Sequence, residues 1–217
     1  MKKNYAWLNH LLNFLAVILG VYLAFYVNDA AKLAEENSEK IAFLQLMSED
    51  LADDIKTYEN YQIPTNQTYL ESVDSLFMAV SAGQIAQANV WLPYLFQVEN
   101  YTPTSTTYVS MKSSGKMKLI GDLSLQKQLS DYYDGVAIEC GEKNEIQVEY
   151  FVENLVAWLT LHADLAEMRL LDKENLVVFK NTLMIYESLV SQKLRNYERI
   201  VEESKLLKER VDQYIGE

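Results

Sequence analysis

One cysteine, Cys140, in 217 residues excludes an intramolecular disulfide framework, a thiolate zinc finger and a CxxC redox pair. Two histidines, His10 and His162, leave little for metal or acid–base chemistry. Seven glycines and three prolines are well below the roughly 12% these residues make up in an average chain. A chain short of turn residues is built from long helices rather than many short strands. Cationic residues are scarce as well: 19 Lys and Arg face 31 Asp and Glu, for a net charge of −12 and a pI near 4.7. That balance repels polyanions and argues against nucleic acid as a partner.

The charge is unevenly placed. The first 28 residues hold Lys2 and Lys3 and no acid, which leaves 17 basic and 31 acidic residues, a net −14, for the rest. Residues 5–27 carry no Asp, Glu, Lys or Arg. At about 1.5 Å per residue a helix of that length reaches about 34 Å, enough to cross the hydrocarbon core of a bilayer. Tyr5 and Trp7 stand at one end and Tyr22, Phe25 and Tyr26 toward the other, as interfacial aromatics do. A cleaved signal peptide is the competing reading, but no small-x-small cleavage site follows; the nearest candidates are Ala30-Ala31. An uncleaved anchor is therefore expected over residues 1–28, with an acidic body over 29–217. Lys2 and Lys3 against Lys32 and Lys40 nearly balance, and the close-set pair at the start favours a cytoplasmic N-terminus in the inner membrane with a periplasmic body.

Asn9, Asn13, Ala16, Gly20, Ala24 and Asn28 recur every three or four residues on one face of this helix. The small residues Ala16, Gly20 and Ala24 let another helix approach closely, and Asn13 can hydrogen-bond across such a contact. The competing reading is that Ala and Gly are simply common in membrane helices. This face is the candidate for homo-oligomerisation or for docking a membrane protein partner.

No Pro or Gly falls within residues 21–63, which predicts that the membrane helix runs on as a stalk with Leu33, Ile41, Leu44, Leu51, Ile55 and Tyr58 on its apolar stripe. Ile63-Pro64-Thr65-Asn66 is read as its end. A second helix is expected over 67–82, stopped by Gly83, then an irregular stretch over 84–104 and a short helix over 105–112. That helix leads to the turn Ser113-Ser114-Gly115. Asp122 is a predicted N-cap for a helix whose stripe runs Leu125, Leu129, Tyr132, Val136, Cys140, Val148, Phe151, Leu155, Trp158 and His162, with a kink or break between Gly135 and Gly141. Asp172 or Asn175 starts the last helix, with Val190, Leu194, Tyr197, Val201, Leu207, Val211 and Tyr214 inward. Each helix has one apolar face, so the expected fold is all-α: a transmembrane helix continuing into a stalk, plus an antiparallel helical bundle.

Gly20, Ala24 and Asn28 in a Gly-x-x-x-Ala-x-x-x-Asn pattern, the stalk stretch from Phe43 to Leu51, and Ser114-Gly115-Lys116 followed by Leu125, Leu129 and Tyr132-Tyr133 together carry a likeness: the sequence resembles a family of uncharacterised single-pass membrane proteins of Bacteroidota. At Asp29-Ala30 it departs from the family, which continues Asn-Trp. The resemblance implies a membrane location and a helical fold, and supplies no catalytic residues.

Nothing in the sequence assembles a reaction centre. Lys116 follows Gly115, but Ser110 stands five residues before Gly115 where the P-loop needs its first glycine and Met117 replaces the Ser or Thr, so this is read as a helix-joining turn. His162 and Asp164 project about 200° apart on a helix, too far to chelate together with Glu167. Glu49, Asp50, Asp53 and Asp54 are read as a solvated face, and Cys140 as a buried thiol. The aromatic stretch with Trp91, Tyr94, Phe96 and Tyr101, together with Ser114, Gly115 and Lys116, is the candidate partner surface. No cofactor or metal is expected. The resulting expectation is a membrane-anchored, oligomeric interaction or scaffold module without catalytic activity, embedded in the lipid bilayer; the alternative is an extracytoplasmic ligand-sensing bundle that signals through a membrane partner.

Overall fold

A computed structural model describes residues 6–171 and 175–216; Lys2, Lys3, Tyr5 and Asp172 lie outside the described residues. The first element, α1 (Ala6–Thr57), passes through a widened π turn, Tyr58–Gln62, into α2 (Ile63–Ser81) without leaving the helical path. The expected stop at Ile63-Pro64-Thr65-Asn66 is therefore corrected. A proline interrupts a helix because it lacks an N–H and crowds the carbonyl four residues back. Here the ladder has already changed step, with the Ile63 N–H bonded to the Tyr58 carbonyl five residues earlier, and Pro64 occupies the first turn after the change. Gly83 ends α2 in a left-handed turn (φ +69°), its N–H on Val80 O at 3.0 Å and the Gln84 N–H on Ala79 O at 2.9 Å.

Part of the stretch expected to be irregular is helical: α3 (Ile85–Trp91) runs into a 3₁₀ turn, Leu92–Phe96. Residues 97–105 then have no regular structure. After α4 (Thr106–Ser113), Gly115 takes the left-handed conformation (φ +71°) and a 3₁₀ turn, Lys116–Leu119, follows. Asp122 caps α5 (Leu123–Ser130), its Oδ1 accepting from the N–H groups of Ser124 (2.8 Å) and Leu125 (3.2 Å). The chain stays helical through a π turn at Asp131–Val136, α6 (Ala137–Tyr150), a second π turn at Phe151–Val156, and α7 (Ala157–His162). The break expected between Gly135 and Gly141 is absent: the π turn that includes Gly135 runs directly into α6, which includes Gly141. A two-residue antiparallel pair, Ala163–Asp164 with Arg169–Leu170, turns the chain toward α8 (Leu176–Gly216).

α8 runs against the direction of α1 and α2, as its partners show. Ser48 Oγ donates to Asp212 at 2.5 Å, Lys205 pairs with Glu59 at 2.6 Å, and the hydroxyls of Tyr69 and Tyr186 are 2.7 Å apart. It runs equally against α5–α7, from Arg210 with Asp122 through Tyr132 with Ser204 (2.7 Å) to Gln147 with Tyr186 (2.9 Å). Two dry clusters result. One gathers Leu44, Leu51, Leu129 and Ile200, the other Val73, Leu76, Leu155 and Leu183. Gln62, Asn66, Asn144, Gln147, Lys193 and Asn196, all buried, lie between them.

Two expected stripe members face outward. Leu33 is 67% exposed; the Lys40 ammonium lies 5.3 Å from the Tyr214 ring near the end of α8, and the described side chains of α1 up to residue 35 are all exposed. Val148 is exposed because the inward positions of α6 after Cys140 carry Asn144 and Gln147. Replacing Leu51 or Leu183, each fully buried in a different cluster, by Ala is expected to lower unfolding free energy by about 2–5 kcal/mol in denaturant titrations of the full chain. Leu33→Ala, at an exposed site, leaves it unchanged.

Candidate functional site

The described side chains of residues 7–35 are all exposed, Trp7 at 66% and Phe25 at 65% among them. Among the described residues this is the one helix long and apolar enough to cross a membrane, judged by length and composition. Asn13, Ala16, Gly20 and Ala24 are all exposed, and a Cβ added at Gly20 would meet nothing within 4 Å among the described residues. An apolar surface this long cannot be left in water at neutral free energy, since each Å² costs about 25 cal/mol.

The proposed partner-surface residues separate into three places. Trp91 and Tyr94 stack obliquely at 5.6 Å and stay partly exposed, while Phe96 packs edge-on against Phe151 at 5.8 Å. These sit beside the cluster farthest from the apolar projection. Tyr101 instead turns into the body, edge-on to Tyr58 at 5.1 Å, with its hydroxyl donating to Asp54 at 2.7 Å. Ser114, Gly115 and Lys116 lie at the opposite end. There the Ser114 hydroxyl donates to Ser110 O at 2.8 Å, and Lys116 pairs with Glu39 and lies over the Phe43 ring, which pins the turn to α1 where packing begins.

The most organised polar site surrounds residues 97–105. A segment without regular structure packed against helices has main-chain groups that no ladder satisfies, and those shielded from water need side-chain partners. Lys193 Nζ donates to Glu99 O and to Asn100 Oδ1, both at 2.9 Å. The Tyr101 N–H donates to Tyr197 Oη at 3.0 Å, and the Tyr101 carbonyl accepts from Asn144 Nδ2 at 2.9 Å and from Tyr58 Oη at 3.3 Å. Thr104 donates through its N–H (2.8 Å) and its hydroxyl (2.9 Å) to the Asp54 carboxylate. Asp54 is thus no part of a solvated acid face; it is 1% exposed.

Burial sets the electrostatics here. It raises Asp54 above the usual carboxylate range, against the lowering effect of its hydrogen bonds from Tyr101 and Thr104. It also pulls Lys193 down to about 7, the neighbouring Cys140 and Glu99 opposing that shift. The Cys140 thiol is pushed up by burial, so it remains protonated and unreactive near neutral pH. Elsewhere, His162 stacks on Trp158 at 4.5 Å, and Asp164 Oδ1 is taken by its own turn, accepting from Ala166 and Glu167 N–H groups at 3.1 Å each. Among the described residues no group of three or more His, Cys, Asp or Glu side chains is placed to hold a metal ion. A groove of about 540 Å³ beside α8 is lined by Tyr132, Val136, Leu206 and two arginines, but Arg199 is engaged by Glu139 and Arg210 by Asp122.

Lys193, Asn144, Gln147, Gln62 and Asn66 escape a search for apolar periodicity. Their signal is the reverse one, a polar residue at a core-facing position, such as Lys193 seven residues after Tyr186 and four before Tyr197. No protein-family model, curated protein or solved structure matches the chain.

Two outcomes are expected. Asp54→Ala removes the acceptor of three hydrogen bonds and is expected to cost about 3 kcal/mol and to expose residues 97–105 to limited proteolysis. Lys193 is near 7 when folded and near 10.5 when unfolded, so between those values the unfolded chain binds the extra proton. Stability contributed by neutral Lys193 therefore grows as pH rises from 7 toward 9 and is lost as pH falls through 7, with a slope of up to about 1.4 kcal/mol per pH unit. Denaturation midpoints measured across that range test this, and Lys193→Met flattens the dependence.

Proposed function

We propose that the chain is a membrane-anchored, all-α interaction or scaffold module: residues 1–28 form a single-pass anchor in the inner membrane and residues 29–217 an acidic helical body held in the periplasm. The observation that carries this reading is the exposed apolar helix over residues 7–27, continuous with the helix on which the body is built. Because Asn9–Ser81 is one helical path, anchor and body are joined rigidly rather than by a flexible linker. The net −14 of the body keeps it solvated and away from anionic lipid. In this reading the partners are the lipid bilayer and either a second copy of the chain or another membrane protein, met through the Asn13, Ala16, Gly20 and Ala24 face.

Three measurements test it. Carbonate extraction of membranes is expected to leave the protein in the pellet, and Ile18→Arg with Leu19→Arg to move it to the supernatant; a soluble parent protein sinks the proposal. A phosphatase fused after residue 217 is expected to be active, and an inactive phosphatase beside a bright cytoplasmic reporter reverses the orientation. Gly20→Ile has room within the chain itself, so it is expected to reduce crosslinked dimer several-fold without altering the melting of the body. Unchanged crosslinking removes this face as the contact.

A further inference from the structure

Among the described residues five buried side-chain atoms lack a hydrogen-bond partner: Gln62 Oε1, Asn66 Oδ1, Gln147 Oε1, and both the oxygen and the nitrogen of the Asn196 amide. The four residues are each at least nine-tenths buried. Each stands on its helix between members of one apolar cluster and members of the other. Gln147 Nε2 donates to the Tyr186 hydroxyl at 2.9 Å, which lies 2.7 Å from the Tyr69 hydroxyl. Asn66 stands one turn before Tyr69, and its own Nδ2 donates to the Gln62 carbonyl at 2.8 Å. On α8, Asn196 precedes Tyr197, which bonds Asn144 at 3.1 Å, one turn before Gln147. Asn196 influences the Cys140 thiol, yet neither of its amide atoms reaches hydrogen-bond geometry.

Each unpaired buried polar group costs about 1–3 kcal/mol, and four such side chains together would consume much of the roughly 5–15 kcal/mol by which a domain is stable. Turning an amide over does not help, because it replaces an orphaned oxygen by an orphaned NH₂. The layer therefore needs a guest, and its chemistry selects one. Carbonyl oxygens, four of the five atoms, repel an anion. The fully buried Lys193 amine in the same layer, and the absence of any carboxylate among these four side chains, disfavour a metal cation. A neutral molecule with two donors and two acceptors, small enough for a packed interior, fits.

We propose that Gln62, Asn66, Gln147 and Asn196 form a buried water site, in which internal waters donate to the amide oxygens and accept from the Asn196 amide. The body then consists of two dry cores joined by a hydrated layer. The layer lies near the Tyr58–Gln62 π turn and the segment held by Lys193.

X-ray radiolytic labelling of the full chain in detergent tests this, because radicals formed from trapped water mark side chains that bulk solvent does not reach. Tyr186 and Phe179, two turns apart on the same helix, are equally buried in one apolar cluster, but only Tyr186 reaches the layer, its hydroxyl accepting from Gln147. Tyr186 is expected to be modified at least ten times faster; equal rates overturn the proposal. Independently, Gln62→Met keeps the shape but withdraws an acceptor from the water, and is expected to lower the folding equilibrium constant about fivefold. An unchanged or increased constant, the result of deleting a truly orphaned oxygen, also overturns it. If that variant does not fold, the labelling of the unaltered chain decides alone.

Discussion

The pairing of main-chain groups in residues 97–105 is the constraint on which the rest of the body depends. This segment has no regular structure and is half-buried against the helices, so neither helix nor sheet satisfies its N–H and C=O groups. The side chains that do so come from each of the long helices: Asp54 and Tyr58 from the first rod, Asn144 from α6, Lys193 and Tyr197 from α8. Each is an expensive residue to bury, and each is accounted for by the atom it meets. Lys193 shows the balance most clearly. Its burial penalises the charged form enough to bring the amine near neutrality, yet its two 2.9 Å hydrogen bonds hold Glu99 and Asn100 in place.

That arrangement also explains why the core is divided. Polar side chains that hold residues 97–105 take the place of apolar ones in the middle of the stripes, so two clusters form in place of one. The π turns belong to the same adjustment. One extra residue per turn changes which side chains point inward, and such turns occur at Tyr58–Gln62, Asp131–Val136 and Phe151–Val156. Their local cost is offset by helices that continue without a break, which matters most in the first rod, where continuity joins the exposed apolar segment to the body.

Local signals in the sequence were legible where one residue type has one physical use. Gly83 and Gly115 mark left-handed turns, and Asp122 marks a helix start, because φ above zero and an N-terminal acceptor are demands few residues meet. The reading failed where the deciding partner is distant. Pro64 normally stops a helix, but the widened turn before it removes the conflict. Val148 looked inward because the true inward residues, Asn144 and Gln147, are polar. Tyr101 looked like part of an aromatic surface, and nothing near it in sequence announces that Asp54 accepts its hydroxyl proton 47 residues away.

Composition and periodicity determined the class of this protein: an all-α chain with an uncharged apolar helix long enough to span a bilayer, followed by an acidic, amphipathic body. Those properties depend on spacing along the chain alone, since 1.5 Å per residue and a 3.6-residue period hold wherever a helix forms. Only the tertiary structure decided where packing on α1 begins, that the first rod runs through a proline, and that the centre of the body is polar. These are set by contacts between residues far apart in sequence, and the free energy of a buried amide, lysine or carboxylate depends on the partner it finds rather than on its neighbours in the chain.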